Sequence, residues 1–379
     1  MVNKKVMNDT LIIAQKETWG KLVRISDSGN IGSAYLFSGS KGSGKEGLAL
    51  KFAQLLNCQG SNIEICFKCE SCIRFSTLQH ERLNIIVPLP TPKDNKTDSG
   101  NKNFIPQDYI KSIKQKSSDP FYKILIPKAK RILIQSIRDL KKTLYLKQDS
   151  NSGRNIVIIF NSELLCAGQG ESGNALLKVL EEPPENTTII LTTDYKKMLF
   201  ETIISRCQAI DIPMLPNDYI FEWLLKRKVK EKDANFLVSI CRGNIHQAKA
   251  LSNQPINKII STIEKISTTL INQNPDQWRR FIDHYSRLCV SDQLEFSYHI
   301  NLISLWFKGV NKHRQGLKSD FDDTNLHSQI VSFSKTYPTA NIYAIVLCLE
   351  DVMKSVSQNL YMPLIILNLI LDIQKHIHE

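Results

Sequence analysis

The chain has 379 residues, of which 42% are hydrophobic and 23% are charged. This composition is ordinary for a globular protein, and the length suggests two or three domains with sizeable cores. The longest uncharged apolar run, residues 360–371, is well short of the ~20 residues that a membrane span requires. Residues 1–10 do not resemble a signal peptide, so we expect a cytoplasmic protein with no membrane association.

The formal net charge is +12, which permits a nucleic-acid partner but does not show one. Residues 93–131 contain ten Lys and Arg against four Asp, so half of the excess lies in one segment. Phe and Tyr residues are interleaved there, and such a basic insertion, about 91–130, could contact single-stranded nucleic acid. A solvated charged loop is the alternative interpretation, and its polar first part, 91–100, shows no periodicity.

A glycine-rich turn follows the first predicted strand, Ala34–Ser38, and precedes a predicted helix over 47–56. The turn, G-S-K-G-S-G-K-E over 39–46, has the spacing and the context of a phosphate-binding loop. Its glycines, Gly39 and Gly44 among them, let backbone N–H groups surround an anion, and Lys45 reaches the outer phosphates. An active loop continues with Ser or Thr, whose hydroxyl holds Mg²⁺, but this chain has Glu46.

Four of the nine cysteines form a cluster, Cys58, Cys66, Cys69 and Cys72. The spacing C-x7-C-x2-C-x2-C lets one short knuckle supply several thiolates, and four thiolates satisfy tetrahedral Zn²⁺ with no position left for water. We therefore predict a structural zinc site. An iron–sulfur cluster is the rival interpretation, although the charged residues between these cysteines indicate an exposed knuckle.

Strands and helices continue to alternate up to residue 213, which predicts an α/β domain with a mainly parallel sheet. Strands are expected at 84–89, 156–160 and 188–191, and helices at 135–146 and over the apolar face formed by Ala175, Leu176, Val179 and Leu180. From residue 218 onward only helices are predicted.

Three short segments carry a resemblance. They are the block N-A-L-L-K-V-L-E-E-P-P over 174–184, the turn Thr192-Thr193-Asp194, and Ser205-Arg206-Cys207. Together they resemble the bacterial clamp-loader AAA+ subunits, which comprise the ATP-hydrolysing gamma/tau subunit and the non-hydrolysing delta-prime subunit of DNA polymerase III. The resemblance is strongest over 30–215 and includes the cysteine cluster, which binds zinc in that family.

The resemblance implies that the ATPase site is degenerate. The family's acidic pair at the end of the central strand aligns with Asn161 and Ser162, and the lid arginine is replaced by His246. With Glu46 at the magnesium position, the metal ligand, the general base and the lid cation are all missing, so we expect no hydrolysis. Weak binding of a nucleotide or phosphate by Lys45 remains open, as does a loop that only shapes the fold.

Arg206 aligns with the arginine finger that family members present to the ATP of a neighbouring subunit. Arginine suits this role because its planar, permanently charged guanidinium binds phosphate through two hydrogen bonds. The alternative is an ordinary ion pair within the chain, for example with Glu181 or Glu182.

The resemblance implies a RecA-like AAA+ module over 1–213, with the zinc knuckle at 58–72 and the basic insertion, an all-α lid over 214–272 and an all-α collar over 273–379. We therefore predict a delta-prime-like subunit. Its expected partners are the gamma/tau and delta subunits in a pentameric ring and, through that ring, the sliding clamp and primed DNA.

Two other functions are kept as alternatives. The first is an ATP-hydrolysing gamma/tau-type subunit, and the second is a zinc-knuckle nucleic-acid-binding protein that uses the basic insertion. Strongly salt-dependent binding of the isolated chain to DNA would favour the second.

Overall fold

The computed structural model describes residues 10–91, 107–146, 153–317, 321, 326–356 and 360–378. It divides into two compact units. One comprises the chain up to Ile220 together with Arg242–Ala248, and the other comprises Phe221–Cys241 and the chain from Lys249 onward. Most of the polar first part of the predicted insertion, residues 92–100, lies outside the described part of the chain, as do the next six residues.

The first unit is built on five parallel strands in the order β2-β3-β4-β1-β5. The strands are β1 (Ala34–Ser38), β2 (Leu83–Ile86), β3 (Asn155–Ile159), β4 (Thr187–Thr193) and β5 (Gln208–Asp211). Every residue of β1, β3 and β4 is buried, which explains the continuous apolar runs at 34–37, 156–159 and 189–191 within these strands.

The second predicted strand is shorter than expected. It ends at Ile86 rather than Leu89, because Pro88 and Pro90 cannot donate backbone hydrogen bonds to a neighbouring strand. Leu89 makes only an isolated antiparallel bridge to Arg131.

Helices flank the sheet. Those lying wholly in the first unit are α1 (Thr10–Ala14), α2 (Lys16–Asp27), α3 (Lys45–Leu56), α4 (Glu70–Ser76), α5 (Gln107–Ser118), α6 (Ile134–Leu146), α7 (Glu171–Glu181) and α8 (Glu201–Ile204). Buried side chains of α6 and α7, such as Leu140 and Leu176, pack with Val157 and Leu191 of the sheet. On α3, the Phe52 ring packs edge-on against Tyr35 of β1, with 5.5 Å between ring centroids.

From residue 217 onward every regular element of the described chain is a helix. Two of these helices, Asn217–Lys226 and Ile245–Ser252, have residues in both units, and the others lie in the second unit. These helices are α9 (Asn217–Lys226), α10 (Glu231–Cys241), α11 (Ile245–Ser252), α12 (Ile256–Ile271), α13 (Pro275–Ser291), α14 (Gln293–Arg314), α15 (Leu326–Thr336), α16 (Ile342–Ser355) and α17 (Met362–His378). Trp306 of α14 lies fully buried in this unit, with its ring 5.4 Å from that of Phe333.

The predicted fold class is confirmed: an α/β module with a parallel sheet, followed by helices. The finer division into a lid over 214–272 and a collar over 273–379 stays a prediction. Among the described helices, none combines the length and the apolar character needed to cross a membrane.

Candidate functional site

The glycine-rich turn lies where the sequence predicted it, between β1 and α3. Gly42 and Gly44 have φ angles of +79° and +83°, a region that favours glycine. Gly39 is also sterically required, because a Cβ there would lie 2.3 Å from the carbonyl oxygen of Ile212. The turn ends at Lys45, the first residue of α3, so Lys45 stands at the carboxyl edge of the parallel sheet.

The ammonium group of Lys45 is already paired within the chain. It forms an ion pair with Asp194, which directly follows β4, and donates a hydrogen bond of 3.0 Å to the carbonyl of Ser40. Asp194 also pairs with Lys123. Burial alone would raise the pKa of Asp194, but Lys123 and Lys45 outweigh it and hold the pKa at about 2. The carboxylate is therefore ionised and acts as the anion on Lys45.

Glu46, at the expected magnesium position, pairs with Lys116 of α5 at 2.7 Å. Burial would raise the pKa of Glu46, but the nearby ammonium groups of Lys116 and Lys123 lower it below its ordinary value. Lys116 also donates hydrogen bonds to the carbonyls of Pro120, at 3.1 Å, and Tyr122, at 2.5 Å. Three acceptors thus satisfy the three protons of a fully buried ammonium group.

The other residues expected at the ATPase site form structural contacts. Ser162 is buried and donates to the carbonyl of Thr192 at 3.0 Å, while Asn161 adopts a left-handed conformation with φ of +51°. Beside them, Thr193 donates to the carboxylate of Glu163 at 2.7 Å, and burial raises the pKa of Glu163.

His246, where the resemblance implies a lid arginine, does not carry a positive charge. Burial lowers its pKa to about 4, so the ring is neutral near pH 7. Its Nε2–H donates to the carbonyl of Phe121 at 2.8 Å, which fixes the tautomer.

These groups leave a cavity of about 10 Å³ between the phosphate loop, Lys116 and His246. That volume is near the minimum for one water molecule, whereas a pocket for a drug-sized ligand has on the order of 300 Å³ or more. This cavity is therefore far smaller than a nucleotide.

The four clustered cysteines meet in space around the start of α4. Their sulfur atoms all lie within 4.8 Å of one another, and Cys66 Sγ is 3.8 Å from Cys72 Sγ. Tetrahedral sulfur ligands with metal bonds of ~2.3 Å are separated by about 3.8 Å, so the arrangement could hold a metal ion.

Backbone N–H groups point at these sulfur atoms. Cys58 Sγ accepts from the N–H of Cys66 at 3.4 Å, and Cys66 Sγ accepts from the N–H groups of Lys68 and Cys69. Although burial acts in the opposite direction, these donors lower the pKa of Cys66 to about 6. A thiolate at this position is what a metal requires.

Arg206 lies between α8 and β5 and is about one-third exposed. One guanidinium nitrogen is 2.7 Å from Glu181 Oε1 and the other donates to the carbonyl of Thr202 at 2.9 Å. The ion pair with Glu181, which was the alternative to an arginine finger, is therefore present. Exposed ion pairs contribute only about 0–1 kcal/mol to the free energy of unfolding, so this contact holds the arginine side chain weakly.

Asp194, Lys116 and Lys123 line the candidate site, and sequence reasoning gave them no role there. Asp194 was assigned to a turn, and both lysines lie in the segment interpreted as a basic insertion. The α5 helix itself was not predicted, although Tyr109, Ile113 and Lys116 have helical spacing. Because these two lysines are committed to buried pairs, they are not available to nucleic acid.

Comparison with known proteins identifies the family of the chain. A family model described as "DNA polymerase III, delta subunit" matches residues 14–216, more than half of the chain. The chain belongs to the DNA polymerase III delta subunit family. The resemblance to clamp-loader subunits of the delta-prime type is confirmed.

Among its relatives is the DNA polymerase III subunit delta' of Bacillus subtilis, 28% identical over 219 residues, or 58% of this chain and 53% of that protein. The delta' subunit of Haemophilus influenzae is 26% identical, covering 58% of this chain and 64% of that protein. The tau subunit of Bacillus subtilis is 27% identical, and the match covers 59% of this chain and 33% of that protein. The matches thus span between about one third and two thirds of these relatives.

Replacing one cysteine ligand tests the cluster. With Cys69→Ser, we expect amide hydrogen exchange in residues 58–76 to rise roughly tenfold or more while β3 stays protected, because a bound metal organises only this knuckle. Cys348→Ser, a half-buried cysteine outside the cluster, is the matched control. Global unfolding of the Cys69 variant would contradict a purely local role.

Proposed function

We propose that this chain is a non-hydrolysing, delta-prime-like subunit of the DNA polymerase III clamp loader. Within it, the chain helps to load the sliding clamp onto primed DNA and supplies Arg206 to ATP bound by a neighbouring subunit. The observation that carries the proposal is the closed phosphate loop: Lys45 and Glu46 are both held by ion pairs within the chain.

The loop chemistry supports the absence of hydrolysis. Phosphoryl transfer needs a metal on the phosphates, a residue that orients the attacking water, and cations that stabilise the developing charge. Glu46 is paired with Lys116, Ser162 is hydrogen-bonded to backbone, and His246 is neutral. None of these three residues is in a state to perform its expected role.

Relatives include tau and gamma/tau subunits as well as delta' subunits, so similarity alone leaves the gamma/tau-type ATPase as a second candidate. An active ATPase would have to expel Lys116 and Lys123 from their buried pairs before a nucleotide could enter. That requirement favours the non-hydrolysing subunit.

Arg206 suits a role in trans because it is exposed and weakly held. A guanidinium whose ion pair lies at the surface can exchange the carboxylate for a phosphate at small cost. Buried residues close in sequence to both partners hold the ion pair in position. Ile203 is buried three residues before Arg206, and Leu180 is buried next to Glu181.

The remaining parts of the proposal follow from family membership. We assign the four-cysteine cluster to structural Zn²⁺, the helices over 214–272 to a lid and those over 273–379 to a collar that mediates assembly. The proposed partners are gamma/tau and delta subunits in a five-membered ring in the cytoplasm.

Metal analysis tests the zinc assignment. We expect about one zinc per chain in protein purified without chelator, because four thiolates fill a tetrahedral shell. Elemental analysis of the Cys69→Ser and Cys348→Ser variants gives the comparison, and only the first should lose zinc. Iron in place of zinc would refute the assignment.

A turnover assay tests the absence of hydrolysis. The purified chain is expected to show no ATP hydrolysis above that of a Lys45→Ala variant, because the metal ligand, the base and the lid cation are missing. Sustained Mg²⁺-dependent turnover that disappears in Lys45→Ala would instead identify a gamma/tau-type ATPase.

Arg206→Ala tests the arginine finger. The isolated variant should keep its stability to within about 1 kcal/mol, because only an exposed ion pair is lost. A loader reconstituted with gamma/tau and delta subunits should lose turnover at one site by roughly a hundredfold or more. Arg206→Lys should restore little, since an ammonium group lacks the planar fork.

Glu181→Gln is the matched control for this experiment. It breaks the same ion pair but keeps the guanidinium, so the loader should retain its clamp- and DNA-stimulated ATPase activity. If both variants incorporate normally and leave turnover unchanged, Arg206 is structural only.

A further inference from the structure

The space above the phosphate loop is filled by the turn that follows α5. This turn, residues 119–123, is called the closing turn here. A Cβ added to Gly44 would lie 3.2 Å from the Phe121 ring, and one added to Gly47 would lie 2.9 Å from the carbonyl oxygen of Pro120. Phe121 is only 6% exposed, so the closing turn is packed against the loop and not merely adjacent to it.

Each of the five charged side chains in this region has an oppositely charged partner within the chain. Three ammonium groups, those of Lys45, Lys116 and Lys123, face the two carboxylates of Glu46 and Asp194. The side chain of Lys116 is 1% exposed and that of Asp194 is 4% exposed. Removing either partner of such a buried pair leaves an uncompensated charge, which is strongly destabilising.

A third segment, residues 242–248, completes the closure. The backbone N–H of Ile245 donates to the carbonyl of Gly42 at 3.2 Å, and His246 holds the carbonyl of Phe121. A Cβ on Gly42 would lie 1.9 Å from Asn244 Oδ1, so the loop and this segment fit together without space for a side chain.

We propose that Lys116 and Asp194, with the closing turn packed over the loop, are a permanent, covalently tethered substitute for a metal–nucleotide. The Lys116 ammonium supplies to Glu46 the positive charge that a metal ion supplies to an active phosphate loop. Asp194 supplies to Lys45 the negative charge of a phosphate. The first unit is thereby kept in one closed state at any nucleotide concentration. This inference rests on contacts within the chain and does not depend on clamp loading.

A double-mutant cycle on Glu46 and Lys116 tests the cation half of the substitute. Glu46→Gln and Lys116→Met should each lower the melting temperature of the full chain by about 10 °C, because each leaves one buried charge unpaired. The double variant should recover at least half of the summed loss, since neither charge then remains.

Glu70 and Arg74 provide the matched control pair. They are 2.6 Å apart but exposed, so Glu70→Gln and Arg74→Met should each shift the melting temperature by less than about 2 °C. Additive losses at Glu46 and Lys116, or losses as small as those of the control pair, would overturn the proposal.

A second measurement uses the unmodified chain, so it does not depend on a variant folding. With about 5 mM MgATP, the melting temperature should stay within about 1 °C, because a ligand that cannot enter cannot stabilise. Amide exchange in residues 40–47 and 116–123 should also stay unchanged.

A MgATP-induced rise in melting temperature that is absent from Lys45→Ala would overturn the tethered substitute. That result without turnover would leave the proposed non-hydrolysing function standing. Turnover itself would refute both, so failure of the inference and failure of the proposed function are distinguishable.

Discussion

The ion pairs of Asp194 are the constraint on which the candidate site depends. Parallel strands place their carboxyl ends at one edge of the sheet, so the residue after β4 lies beside the loop after β1. Asp194 uses that position to hold Lys45 at the start of α3 and Lys123 in the closing turn. One carboxylate thus joins three segments that are far apart in the sequence, and the loop cannot accept a phosphate on Lys45 without breaking this junction.

The parts of the molecule that could be predicted from the sequence are those governed by local rules. The strands β1, β3 and β4 were recognised because burial on both faces demands continuous apolar sequences. The cysteine cluster and the glycine-rich turn were recognised because their spacing is a local property of a knuckle and of a loop. The end of β2 was predicted at Leu89 but lies at Ile86. Prolines at 88 and 90 limit how far a strand can continue, but they do not fix the residue at which it ends.

The closure of the loop could not be predicted, because it depends on contacts between distant residues. Glu46 and Lys116 are 70 positions apart, and no local pattern assigns one to the other. Lys116 lies on the buried face of α5, near the ring of Phe160, whereas Lys111 and Lys114 of the same helix face solvent. The lysine-rich composition of this stretch therefore gave the wrong expectation for Lys116, which is buried.

Burial separates the roles of the two kinds of ion pair in this chain. A buried pair such as Glu46–Lys116 gains little net stability over an apolar pair, but it is costly to break, so it specifies one conformation. The exposed pair Arg206–Glu181 is weak and easily exchanged, so it leaves the guanidinium available. A subunit whose own loop cannot respond to ATP can take part in hydrolysis only through groups at its surface. Under the proposed function, the rigid pairs therefore remove one ATPase site from the ring, while the weak pair at Arg206 lets this subunit serve the site of its neighbour.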